Sequence, residues 1–79
     1  MDDREAAWDR LHDALARMPG WSASRPQRDP LNSVWTATVV HVAQRGRGVM
    51  RDTLEAHGET EAKAVRRLAE LVEERLSGA

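Results

Sequence analysis

An α+β domain of the order helix, strand, strand, strand, helix is what this sequence predicts, on three observations. Apolar residues recur at helical spacing near both ends of the chain, valine, threonine and tryptophan crowd its middle, and glycine or proline marks each change of period. The expected architecture is a three-stranded antiparallel sheet with two helices packed on one face, and residues 1–79 form one small domain.

The first helix is expected over residues 3–18. Trp8, Leu11, Leu15 and Met18 form its apolar stripe, with Ala7 and Ala14 filling the same side. Asp2 or Asp3 caps it, Glu5 adds favourable charge near the positive end of the dipole, and Pro19-Gly20 stops it. Residues 21–27 read as a first strand, weakened by serines and Pro26, and residues 28–33 read as a turn.

Residues 34–43 are the clearest strand, and residues 48–57 return after a loop of Gln44-Arg45-Gly46-Arg47. Alternation then places Trp35, Ala37, Val39 and His41 on the core face with Met50, Asp52, Leu54 and Ala56. Thr36, Thr38, Val40 and Val42 share the solvent face with Val49, Arg51, Thr53 and Glu55. Gly58 frees the backbone at the exit and Thr60 caps a last helix reaching about Leu76, with Ala64, Val65, Leu68, Ala69, Val72 and Leu76 inward. Ser77-Gly78-Ala79 reads as a frayed end.

With 79 residues and no cysteine, the chain has neither a disulfide framework nor a thiolate metal site. A domain this small buries only about 60–65% of its unfolded surface, so its core is thin. The acidic start lacks the pattern of a signal peptide and no apolar run is long enough to span a membrane, so a cytoplasmic location and no membrane partner are expected. The net charge of −1 is uneven: residues 1–20 carry −2, residues 21–51 carry +4 and residues 52–79 carry −3. A middle third at +4 is well below the field of a dedicated nucleic-acid binder.

His12, His41 and His57 have no ligand spacing, and the four serines have no oriented base beside them, so no catalytic, metal or cofactor site is expected and the chain reads as a non-enzyme. Trp8 and Trp35 read as core filler in a chain without Phe or Tyr, and Trp21 as packing under the first helix. Arg66, Arg67, Glu70, Glu73, Glu74 and Arg75 read as a solvated helix face with an Arg66–Glu70 pair. Two surface features are candidates for contact. Arg45 and Arg47 on the glycine-loosened hairpin, with Arg51 after it and Arg25 and Arg28 in support, suit phosphate or nucleic acid. Val40, Val42 and Val49 make an apolar corner on the solvent face that suits a protein interface.

The α-β-β-β-α order resembles the double-stranded-RNA-binding domain over nearly the whole chain. Thr60 and Ala64 stand where that family opens its last helix, but Glu61 and Ala62 replace its two lysines and Val65 its next basic residue. The resemblance implies the fold without the RNA-binding surface. Over the last strand and helix alone, Leu54, Ala56, Gly58, Thr60, Ala64 and Val65 resemble HicB-type antitoxin domains, whose proline-glycine element is missing here. The function expected is a non-enzymatic protein-interaction or accessory domain that self-associates as a homodimer. The alternative is a weak nucleic-acid-binding module using the arginine hairpin.

Overall fold

The computed structural model describes residues 2–78, apart from the side chain of Arg45. Its elements are α1 (Asp3–Leu15), β1 (Trp21–Ala23), β2 (Gln27–Asp29), β3 (Val34–Arg45), β4 (Gly48–Gly58) and α2 (Glu61–Gly78), with all strand pairs antiparallel. The fold is α+β, but with four strands where three are expected from sequence.

Asp2 caps α1, its carboxylate accepting from the Arg4 amide at 3.3 Å. The helix ends at Leu15, three residues earlier than expected. Beyond it the turn tightens: the amides of Arg17 and Met18 donate three residues back, to Ala14 and Leu15. Pro19 disfavours a helical residue before it, and the tightened turn still carries Met18 into the core.

The expected first strand is divided. Trp21, Ser22 and Ala23 pair with His41, Val40 and Val39, while Gln27, Arg28 and Asp29 pair with Thr36, Trp35 and Val34. Four steps from Ala23 to Gln27 thus oppose three from Val39 to Thr36, so one extra residue bulges in the segment containing Pro26. Because β3 residues such as Trp35 and His41 also pair with β4, β1 and β2 share one edge of β3 and β4 takes the other. Arg28 and Asp29, expected in a turn, belong to β2. The turn itself begins after Asp29, whose carboxylate accepts from the Leu31 amide and the Asn32 side chain, both at 2.9 Å. The Leu31 amide, more than Asn32, holds that carboxyl below its usual range.

The β3–β4 hairpin also differs in detail. Its loop is only Gly46-Arg47, and Arg45 pairs with Gly48. Gly46 takes φ 60° at the first central position, the type II′ turn that matches strand twist. The register therefore slips by two residues from the expected one, with Ala43 opposite Met50 rather than Gly48. A slip of two preserves the face of every side chain. Ala37, Val39 and Ala56 are accordingly buried, and Thr53 and Glu55 are exposed.

Thr60 caps α2, its hydroxyl accepting from the Lys63 amide at 3.1 Å. Gly58 is required by space rather than by backbone freedom: a Cβ there would lie 2.6 Å from the Ala64 amide nitrogen. The helix continues through Ser77 and Gly78, which were expected to fray; Ala79 lies outside the described residues. It packs across β3 and β4, and α1 packs against it. Leu11, Val39, Val65, Leu68 and Val72 are the largest fully buried side chains, and Trp8, Leu15, Trp35 and Leu54 close the core half-buried.

Charged pairs on the surface bridge the two helices. Arg4 meets Glu61 at 3.2 Å, and Arg10 grips Glu73 bidentately at 2.7 and 2.9 Å with Glu70 at 3.7 Å. Rising numbers match rising numbers, so the helices run in the same direction. The hydrogen bonds from Arg10 hold the Glu73 carboxyl below its usual range.

Candidate interaction surface

Among the described residues no helix covers the sheet's second face. Thr36, Thr38 and Val40 lie on it half-buried, and Val42, Val49, Arg51, Thr53, Glu55 and His57 lie on it exposed. The outer end of the hairpin extends past β1, whose first residue, Trp21, stands opposite His41 while β3 and β4 stay paired as far as Arg45 and Gly48. Val42 and Val49 are 53% and 66% exposed there, diagonal neighbours across the pair. Met50 is 55% exposed on the opposite face, although alternation assigns it to the core side. Apolar side chains thus show on both faces of this arm, and Val40, nearer the middle, stays half-buried.

The expected arginines do not form one patch. Arg28 stands opposite Trp35 on the helix-bearing face, whereas Arg51 stands opposite Val42 on the open face. Those two β3 positions are seven residues apart, about 23 Å along a strand at ~3.3 Å per residue. Arg25 lines a shallow groove on the open face with Ser24, Gln27, Thr36, Thr38 and Glu55. Arg47 occupies the hairpin turn, near Arg51; the side chain of Arg45 lies outside the described residues.

The register assembles one constellation that reading along the sequence misses. His57 lies directly opposite Thr36, its Nδ1 3.0 Å from the hydroxyl, and its Nε2 is 3.2 Å from the Glu55 carboxylate. Hydroxyl, imidazole and carboxylate in series is the connectivity that activates a nucleophile. Here it lies on an open sheet, with His57 57% and Glu55 52% exposed, where water screens both partners. The sequence signal was Glu55 and His57 two apart on one strand face, which becomes a site only once the partner strand is in register. The other histidines pair with tryptophans: His12 sits 5.5 Å from Trp8, and His41 stacks on Trp21 at 5.2 Å. Arg75 of α2 lies over Trp21 at 5.7 Å, and Trp21 packs half-buried against the core. Among the described residues no group of histidines and acids is placed to hold a metal ion, and no helix is long and apolar enough to cross a membrane.

The backbone of β4 supplies the remaining feature. A two-residue loop makes Arg45 and Gly48 the closing hydrogen-bonded pair, so the even-numbered residues of β4 bond to β3. Val49, Arg51, Thr53, Glu55 and His57 then turn their N–H and C=O groups outward, along an edge that no strand among the described residues pairs with. At its far end the His57 carbonyl accepts from Arg67 Nη1 at 2.9 Å, which fits that assignment. Comparison with known proteins found no matching family model, no matching curated protein and no matching solved structure.

Proposed function

We propose that this domain works by protein–protein contact through its sheet, self-association above all, and not by catalysis. One observation carries the reading: among the described residues no strand pairs with the outer edge of β4, beside an open face where Val42 and Val49 are exposed. Unpaired edges and apolar patches are what stable monomers cover or charge, and what interaction domains keep open. A chain of 79 residues also gains core it cannot build alone by covering such a surface with a partner.

A second reading, phosphate contact through the hairpin arginines Arg45, Arg47 and Arg51, is favoured by the exposure of Arg51 on the open face and by the +4 charge of residues 21–51. Salt separates the two. Sedimentation over a wide concentration range, repeated between about 50 and 200 mM salt, should show association that survives added salt. Parallel titrations with generic duplex and single-stranded nucleic acid should show at most weak, steeply salt-dependent binding. A folded monomer at high micromolar concentration, together with tight nucleic-acid binding, would overturn the protein-contact reading and establish the second.

A further inference from the structure

Building on the protein-contact reading, we propose that the outer edge of β4 is a self-pairing edge, with a second copy of the chain as occupant and Thr53 on the two-fold axis. The charges along the edge select this arrangement. Arg51 and Glu55 flank Thr53 at equal spacing, carry opposite charge, and turn their backbone groups outward as Thr53 does. Antiparallel pairing about Thr53 sets Arg51 of each chain opposite Glu55 of the other. Thr53 then faces Thr53, and every one of these pairs exchanges both backbone hydrogen bonds.

Neighbouring registers are worse for stated reasons. Moving the axis to Asp52 opposes Asp52 with its own copy. Moving it to Arg51 or to Glu55 opposes two like charges at the centre. Moving it to Leu54 loses both ion pairs. Register about Thr53 also sets Met50, 55% exposed in the single chain, against Ala56 on the helix-bearing face. Leu71, 37% exposed, lies one helical turn from Arg67, the residue that reaches the edge at His57. It therefore stands on the side of α2 that the second copy covers. Arg67, already bonded to the His57 carbonyl, ends the ladder at that position.

The axis is normal to the sheet, so the two open faces join into one surface and the helices lie together on the other side. The pairing stops at two chains, because each copy offers β4 once.

The test exploits the charge symmetry. R51E leaves two acids on the edge and E55R leaves two arginines, so each variant repels its own copy and attracts the other. Both positions are exposed, and circular dichroism with thermal melting checks that each variant keeps the fold. Wild type should sediment as a dimer. Each variant alone should dimerise about tenfold or more weakly, while their equimolar mixture should recover dimers made of one chain of each kind. As an independent readout, Thr53→Cys in this cysteine-free chain should oxidise to a covalent dimer. Should wild type dimerise but R51E and E55R do so equally well, edge pairing is wrong while self-association stands. Loss of the dimer in Val42→Arg would then locate it on the open face. A wild type that remains monomeric at high micromolar concentration would refute both the edge pairing and self-association.

Discussion

Replacing Gly58 with alanine should destabilise this domain, against the usual direction of that change. In a strand, glycine to alanine normally stabilises by about 0.4–1 kcal/mol, because the unfolded chain loses conformations. At Gly58 the added Cβ would meet the Ala64 amide nitrogen at 2.6 Å, and the carbonyl carbon and Cβ of Lys63 at 2.9 Å. These are mostly backbone atoms of the first turn of α2, and no rotamer change moves them. Restoring an ordinary 3.4 Å contact requires a shift of 3.4 − 2.6 = 0.8 Å between β4 and the helix. That shift would unseat Ala64, Val65 and Leu68, all fully buried. Overpacking of this kind costs about 1–3 kcal/mol, so the net loss should be about 1–2 kcal/mol, or about 4–16 °C in Tm for a domain of this size. Urea unfolding followed by circular dichroism measures it. Gly46 supplies the control, since a Cβ there meets nothing within 4 Å and only its φ of 60° resists substitution. Alanine at Gly46 should therefore cost only backbone strain and displace no neighbour, while a residue larger still, such as asparagine, should be worse than alanine at Gly58. A Gly58→Ala variant as stable as wild type would refute the close-contact account of this junction.

Two further predictions address the core and the helix pair. Leu68→Ala should cost about 2–5 kcal/mol by chemical denaturation, and Val39→Thr about 1–3 kcal/mol, whereas Val42→Thr should stay within about 0.5 kcal/mol; a reversed order for the two valines would mean the sheet faces are exchanged. Glu73 has a folded pKa below its unfolded one, so its contribution is present above the usual carboxylate range and disappears as pH falls through the lowered folded value. Glu73→Gln should therefore lose less than about 1 kcal/mol near neutrality, since the pair is partly exposed, and nothing in strong acid; a deficit that persists in acid would point to packing rather than charge.

The faces of the sheet were legible in the sequence because they depend on parity alone. Composition suggests a hairpin loop of four residues where the structure has two, yet Val39 and Ala56 still face inward, since a two-residue slip changes partners without changing sides. The break between β1 and β2 was less legible. Pro26 signalled weakness, but only β3 shows that the chain resumes pairing after one bulged residue and draws Arg28 and Asp29 into the sheet. Long-range contacts were not legible at all. Helical spacing matches Glu70 with Arg66 on its own helix, whereas it faces Arg10 of α1, and Glu73 meets the same guanidinium from 63 residues away. The Thr36–His57–Glu55 series was hidden for the same reason, because helical or strand period relates neighbours on one element and cannot name the residue across from it.

The proline and bulge between β1 and β2 have a consequence for the valence of the molecule. A sheet with two good edges is a bifunctional monomer, able to add a copy at either side and grow without end. Here one side consists of two three-residue strands set out of step, with a residue at Pro26 that has no amide hydrogen to offer. Among the described residues only β4 presents a long, continuous edge, so under the proposed pairing the molecule would be monofunctional, and joining two copies would use up the supply of partners. Restoring a regular strand over residues 21–29 by deleting the bulged residue and replacing Pro26 would supply the second functional end, and with it a route from closed pairs to open fibres.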